Sequence, residues 1–422
     1  MSKRRYMITT SRSLRSLPLL GCMNRFASIA DFLALRRNTA LLLVALVMAG
    51  TGERLWLGFA PKYLETLGAT VLVIGLFDAL QTFLGAVYAW PGGWLTDRWG
   101  QRRSLLVFNA LSLAGYVLVL VWQHWLALVI GAFLFLAWSA LSLPATFSVI
   151  ATSLDASRHT MGVGVQSMVR RVPMMVGPLV GGSLITHYGW DYGVRFALLG
   201  CIGLGVVTMV FQWFMVESKA EIGPESRVAS TPLHFTDVLK SFNSTLRELL
   251  VSDILIRFCE RLPYAFVILW AMNHGGLSAE QFGWLVAVEM ITAMLCYIPV
   301  AHLADRHGQR PFVLATFAFF TLFPIALLFA DNFAWLAVAF VIRGLKEFGE
   351  PARKALIIAQ AAPGLRARTY GAYYLVRDCV VTFGSLIGAW LWSISPQANF
   401  VGAAVCGALG TLWFWWFVSR KV

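Results

Sequence analysis

Charge is scarce in this 422-residue chain: 13% of its residues are Asp, Glu, Lys or Arg, about half the usage of water-soluble domains. Acid is scarcer still, with 21 Asp and Glu against 34 Lys and Arg, a formal net charge of +13. With 58% hydrophobic residues and a mean hydropathy of +0.69, the chain has too little polar surface for a soluble single-domain enzyme. Paired CxxC spacings are also missing, and the six cysteines sit mostly inside apolar runs, which argues against a disulfide framework and a zinc site. No GxxxxGK[ST] loop is present, so the chain is not an autonomous nucleotide-driven pump. No nucleophile–base pair or metal-ligand grouping emerges either, and neither enzyme activity nor a cofactor or metal is expected. The basic surplus flanks apolar runs instead of covering a polar fold, which points to membrane lipid and away from nucleic acid.

What the chain has is apolar runs of spanning length. A bilayer crossing takes roughly 20 apolar residues. Runs of that kind fall near 39–65, 70–96, 103–123, 125–152, 160–187 and 193–216, and again near 249–274, 279–304, 311–331, 333–361, 368–394 and 397–419. The pattern predicts a basic tail 1–38, a six-helix unit 39–216, a linker 217–248, a second six-helix unit 249–419 and a tail 420–422. The first thirty residues contain no acid, and Leu19-Leu20-Gly21-Cys22 superficially resembles a lipoprotein cleavage box. The apolar stretch before Cys22 is too short for a signal segment, leaving a disordered basic tail or a start at Met23 as the expectation.

The second half repeats the first. Trp94-Leu-Thr-Asp97-Arg98-Trp-Gly100-Gln-Arg102 recurs as His302-Leu-Ala-Asp305-Arg306-His-Gly308-Gln-Arg310 at an offset of 208. Glu53-Arg54-Leu55 recurs as Glu260-Arg261-Leu262, and Gly177-Pro178-Leu-Val-Gly181-Gly182 as Gly384-Ser385-Leu-Ile-Gly388-Ala389, both at 207. An even number of helices per copy makes the repeats parallel, so the fold expected is an all-α integral membrane protein of two six-helix bundles, related by a pseudo-two-fold axis along the membrane normal.

These motifs carry a family resemblance. Gly93-Trp-Leu-Thr-Asp97-Arg98-Trp-Gly100-Gln-Arg102-Arg103 resembles the loop signature between the second and third helices of major facilitator superfamily transporters. Gly177-Pro178-x-x-Gly181-Gly182 resembles the fifth-helix signature of their drug:proton antiporter branch. The likeness covers most of 39–419; span four lacks the arginine-containing motif of the antiporters, although Arg343-Gly344 in span ten resembles it. The resemblance implies secondary active transport of a small organic solute, coupled to protons, by a chain acting as a monomer. An uncoupled facilitator or lipid translocator, and a receptor or scaffold that kept the fold, stand as alternatives.

Ionisable side chains within spans are costly and mark pathways or internal pairs. Asp78, Arg170, Glu289, Arg343 and Arg377 each fall roughly 12–15 Å into their helices at 1.5 Å per residue. Asp78 and Glu289 are candidate proton carriers. Glu53, Arg54, Arg170, Glu260, Arg261, Arg343, Tyr373 and Arg377 are candidate substrate contacts. Arg170 and Arg377 are repeat-equivalent and could clamp an anionic solute bidentately, or Arg377 could pair with Asp378 or Glu289. Arg343, Lys346, Glu347 and Glu350, at i, i+3, i+4 and i+7, predict a stripe neutralised by its own i,i+4 pairs, with Arg343 reaching the cavity. Gly93, Asp97, Arg98, Gly100 and Arg102, with Asp305 and Arg306, form a candidate gate, Asp97 needing an arginine or a helix N-terminus beside it; a plain turn that sets topology is the alternative. Gly177, Pro178, Gly181 and Gly182 suit close helix packing.

Twenty-four Lys and Arg fall on one side of the twelve runs, and only Lys62 and Arg195 in connections on the other. Cations accumulate in cytoplasmic loops, so both termini are expected to be cytoplasmic and the protein to sit in the inner membrane. An introduced cysteine, Arg227→Cys, should resist impermeant thiol reagents in intact cells and react once the membrane is opened. Labelling in intact cells would overturn this orientation.

Overall fold

The computed structural model describes residues 37–153, 169–215, 235–361 and 366–418. Within them the chain is helical, with no strand among the described residues. Helix α1 runs Arg37–Trp56, tightens to a 3-10 turn over Leu57–Phe59 and resumes as Ala60–Thr66. Pro61 explains the change of pitch, because it has no N–H to donate back to Leu57. α2 is Val71–Trp99, α3 Gln101–Val121 and α4 Trp125–Ser153. α5 and α6 are the limbs of Arg171–Trp213, which turns at Gly189 with φ 75° and ψ 176°.

The second half has α7 as Ser244–Tyr264, continued by Val267–Leu269 and a π turn Trp270–His274. α7 starts five residues before the expected 249, because Asn243 caps it through Leu246 N–H at 2.7 Å. α8 is Ala279–His307, α9 Arg310–Leu328, and α10 is broken into Phe333–Leu345 and Glu350–Ala359. α11 is Arg366–Ile394, and α12 is Pro396–Trp413 with a π turn Phe414–Val418. Eight helices among the described residues are long and apolar enough to cross a membrane unaided. The charged α7 and the broken α10 are not among them, the one for its charges and the other for the shortness of its pieces; the charges of both are tolerated because they face protein and the cavity.

The repeat seen in the sequence is a repeat of geometry. Gly100 and Gly308 end α2 and α8 with φ 84°, ψ 161° and φ 83°, ψ 162°, a conformation that only glycine adopts without strain. Pro91 and Pro299, 208 residues apart, lie inside the same two helices. Within the first half α1 packs on the α5–α6 limbs and α4 on α2 and α3; within the second, α7 packs on α11 and α12, and α8 on α10. The halves meet where α2 lies on α11 and α5 on α8, contacts that the repeat operation interchanges.

Those contacts depend on absent side chains. A Cβ on Gly181 would strike Leu55 O in α1, and one on Gly388 would strike Leu262 O in α7. Across the halves, Gly182 abuts the Ala279 backbone and Gly283 that of Pro178, while Gly75 abuts Ala389. One small-residue face of α5, and its copy on α11, therefore seats both a helix of its own half and one of the other. Asn399 Nδ2 bridges the second copy by donating to Leu262 O at 2.8 Å and Gly388 O at 2.7 Å.

Beyond these contacts a continuous apolar cluster joins the halves, with Trp56 and Phe59 from the first and Phe266, Trp270 and Phe282 from the second. A polar clasp covers it. Lys62 pairs with Glu65 and reaches Asn273 Oδ1 at 2.5 Å, and Asn273 Nδ2 donates to Glu65 Oε1 at 3.0 Å. The face carrying the α1–α2 and α7–α8 turns is thereby shut.

Towards the other face, the second half is braced by a buried charge network. Asp253 of α7 is fully buried, pairs with Arg353 of α10, and accepts from Tyr373 Oη at 3.2 Å and Arg377 Nη1 at 3.4 Å in α11. Glu350 meets Arg353 at 2.7 Å, Arg257 at 3.4 Å and Lys354 at 3.5 Å. Arg353 is thus 1% exposed inside the bundle. Removing one member of such a pair leaves the other charged and buried, a loss of about 3–5 kcal/mol. Asp253→Ala and Arg353→Ala should each lower the melting temperature of the detergent-solubilised protein steeply. The double replacement should lower it less than the two single losses combined; strict additivity would show that the pair carries no coupling.

Candidate functional site

Between the halves lies a cavity of about 490 Å3. Its first-half wall comes from α1, where the turn forced by Pro61 presents Leu57, Gly58 and Phe59 beside Glu53 and Arg54, and from α2 with Asp78, Gln81 and Thr82. Its second-half wall comes from α7 with Arg257, Glu260, Arg261 and Tyr264, from α8 with Phe282, Val286 and Glu289, and from α10 with Arg343, Lys346 and Glu347. The lining holds five carboxylates and five cations.

Almost all of these charges are paired between helices. Asp78, 2% exposed, belongs to the first half but takes both partners from the second: Arg261 Nη1 at 3.4 Å and Ser385 Oγ, donating at 2.5 Å. Glu260 holds Arg257 at 2.6 Å and Lys346 at 2.7 Å. Glu289 holds Arg343 at 3.3 Å and Lys346 at 3.8 Å. Glu347 crosses back to Arg171 of α5 at 3.1 Å. Arg343 also lies over Tyr264, Phe323 and Phe340, ring centroids 5.3–5.7 Å away, a cation–π cage that fixes its direction. Glu53 and Arg54 also face the cavity, and Glu53 has Arg54, Arg170 and Ser139 around its carboxylate.

Span ten departs from its expected self-paired stripe. Arg343 pairs with Glu289 instead of Glu347, and Lys346 with Glu260 instead of Glu350. An i,i+4 pair needs unbroken helix, and α10 opens between Leu345 and Glu350. Pro351 at the start of the second piece cannot donate back to Glu347, and Gly349 N–H turns instead to Thr316 Oγ1 at 2.5 Å.

Of the expected substrate contacts, Glu53, Arg54, Glu260, Arg261 and Arg343 line the cavity, as do Asp78 and Glu289. Arg170, Tyr373 and Arg377 do not. Arg377 is drawn away by Asp378 at 2.7 Å and by Asp253, and its guanidinium stacks on Tyr374 at 4.1 Å. Tyr373 is fully buried and donates to Asp253 and to Leu249 O. An anion clamp made of Arg170 and Arg377 is therefore not assembled, because repeat symmetry matches depth on a helix and says nothing of the local acid. Asp253 is that acid, and Ser385 and Asp253 are the polar partners missed. Asp253 stands four residues before Arg257, on the same face of α7, a spacing visible in the sequence.

At the candidate gate, Arg98 lies over the Trp94 ring at 5.4 Å and Arg102 over the Trp213 ring at 4.7 Å, tying the α2–α3 turn to α6. Arg306 is exposed. Gly93, Asp97 and Asp305 fall within α2 and α8, and the surroundings of the Asp97 and Asp305 side chains lie outside the described residues.

Comparison with known proteins agrees with this architecture. The Major Facilitator Superfamily profile matches residues 42–259 and 249–422, one copy per half. Relatives called "Multidrug resistance protein MdtG" are 24% identical over 92% of this chain and 95% of theirs in Serratia proteamaculans, and 25% identical over 90% and 93% in Salmonella paratyphi C. A solved peptide transporter POT aligns with a TM-score of 0.72 at 16% identity, covering 90% of this chain and 93% of its own. The nucleoside transporter NupG aligns with a TM-score of 0.73 at 10% identity, covering 91% and 100%. A fold of two helical halves closed at one face around a polar cavity, and a profile that matches each half in turn, together place the chain in the major facilitator superfamily.

Proposed function

We propose that the chain is a proton-coupled secondary transporter of a small organic solute, cycling by alternating access, in the inner membrane with both termini cytoplasmic. One observation carries the reading: Asp78, a buried carboxylate on the cavity wall of one half, is bound, among the described residues, by groups of the other, Arg261 and Ser385. A proton on Asp78 abolishes its charge attraction for Arg261, while a solute and a re-ionised Asp78 restore competing demands on the same wall. Protonation thus biases whether α2 stays docked on α7 and α11, the step that alternating access requires. Glu289, held by Arg343 and Lys346 within one half, serves as the second carboxylate of the pathway.

The relatives named for multidrug resistance support a small organic solute, and the turns at Gly100 and Gly308 support hinged contacts at the cytoplasmic ends of α2 and α8. Asp97, Arg98 and Arg102, with Asp305 and Arg306 in the second copy, act there as the cytoplasmic gate. The shut face with the Lys62, Glu65 and Asn273 clasp is then periplasmic, and the conformation is the one in which solute exchanges with the cytoplasm.

In proteoliposomes, Asp78→Asn should abolish flux driven by a pH gradient while leaving solute counterflow measurable, because the neutral amide keeps the shape but carries no exchangeable charge. Flux by the unaltered protein that ignores collapse of the gradient would establish uncoupled facilitation instead.

A further inference from the structure

The cavity is not uniform along its depth. On α1 the lining passes from Gly58 and Leu57, near the Lys62 clasp, to Arg54 and Glu53 further in. α7 and its continuation pass likewise from Ile268 and Val267 to Arg261 and Glu260, and α8 from Phe282 and Val286 to Glu289. On these three helices no Asp, Glu, Lys or Arg lines the shut end, and the charges begin one to two turns below it, roughly 5–10 Å at 1.5 Å per residue. Phe59 and Phe282, ring centroids 6.0 Å apart, close that end across the halves.

At this apolar end one side chain is missing for no reason the fold supplies. Elsewhere in the bundle Gly75, Gly181 and Gly388 have atoms of a neighbouring helix where a Cβ would go, and Gly189 and Gly308 have a positive φ. Gly58 has neither: its φ is not in the left-handed region, and a Cβ there would meet nothing within 4 Å. Gly85, Gly203 and Gly371 share that freedom, but they are exposed and outside the cavity lining. Neither backbone nor packing requires glycine at position 58, where it costs chain entropy. What a larger residue would occupy is room inside the cavity. A charged group of a solute pressed into this end would lose its water and find no counter-charge, whereas an apolar group there is buried against apolar walls. The polar end of the same molecule then falls among the charges below. Resting on the transport reading above, we infer that the shut end of the cavity is a subsite for the apolar body of an amphiphilic solute, and that Gly58 sets how long a body it admits.

The test is binding to the purified full-length protein in lipid nanodiscs without any gradient, so that its failure leaves the Asp78 coupling test untouched. The probes are two homologous series, 4-alkylbenzoates and 4-alkylbenzylammonium salts with straight alkyl groups from methyl to pentyl, and empty nanodiscs give the partition background. In the series whose head is accepted, affinity should rise about three- to fourfold per methylene as each carbon is buried. Gly58→Leu should leave the methyl compound within about twofold and weaken the pentyl compound by about tenfold or more, since its side chain takes the room the longer chain needs. Gly58→Ala, the smallest filling, should melt no lower than the unaltered protein and shorten the best-bound chain by about one carbon, which separates lost room from lost fold. Gly85→Leu, the same change outside the cavity, should leave the series as it was. An unaltered rise with chain length in Gly58→Leu, an equal loss for every member, or binding of neither series would overturn the inference.

Discussion

Among the described residues, Asp78 makes the most deeply buried of the polar contacts, the Arg171–Glu347 pair and the Lys62–Glu65–Asn273 clasp being others, that hold the two halves to one another by something other than shape. Its carboxylate sits in α2, its cation in α7 and its hydroxyl donor in α11. In a medium where an unpaired charge costs several kcal/mol, this arrangement is stable only while the three helices remain together. The surrounding cavity obeys the same constraint. Most of its carboxylates are matched to cations of another helix, and such pairs are ones that relative motion of those helices would have to dissolve or trade.

What permits that motion is the absence of side chains elsewhere. The α5 and α11 faces bring backbone against backbone at Leu55, Leu262, Ala279 and Pro178. Contacts of this kind have almost no interdigitating side chains to ratchet, so the alternating access proposed above would tilt the halves about them and open the polar clasp at Lys62, Glu65 and Asn273. The bracing charges of Asp253, Arg353 and Glu350 have the opposite role: they join α7 and α10, with Asp253 reaching α11, inside one half and keep that half rigid while it moves.

The architecture was legible in the sequence because the constraints that set it are periodic. Apolar length marked the helices, and three motifs at offsets of 207 or 208 marked the repeat; the paired backbone turns at Gly100 and Gly308 are that repeat in three dimensions. Pairing among charges was less legible, because it is decided by which helix lies opposite. Arg170 and Arg377 share a register, yet Arg377 is captured by Asp253 and Asp378. Lys346 and Glu350 share a helical spacing, yet a proline at position 351 opens the helix between them. Asp253 itself was within reach, since it stands four residues before Arg257 on the same face of α7.

The two halves share a backbone but not a charge pattern, and the difference is where the chemistry lies. Glu260 is held by Arg257 and Lys346 in the second half, whereas its repeat equivalent Glu53 has Arg54, Arg170 and Ser139 around its carboxylate. Position 78 is an acid, but at the same offsets of 207 and 208 the second half has Leu285 and Val286; Glu289 is likewise matched in the first half by Gln81 and Thr82. A symmetric scaffold gives the contact of α2 with α11 a counterpart in that of α5 with α8. Under the proton-coupled cycle proposed above, this asymmetry of charge is what would let protonation and solute binding act on the same equilibrium from a single cavity.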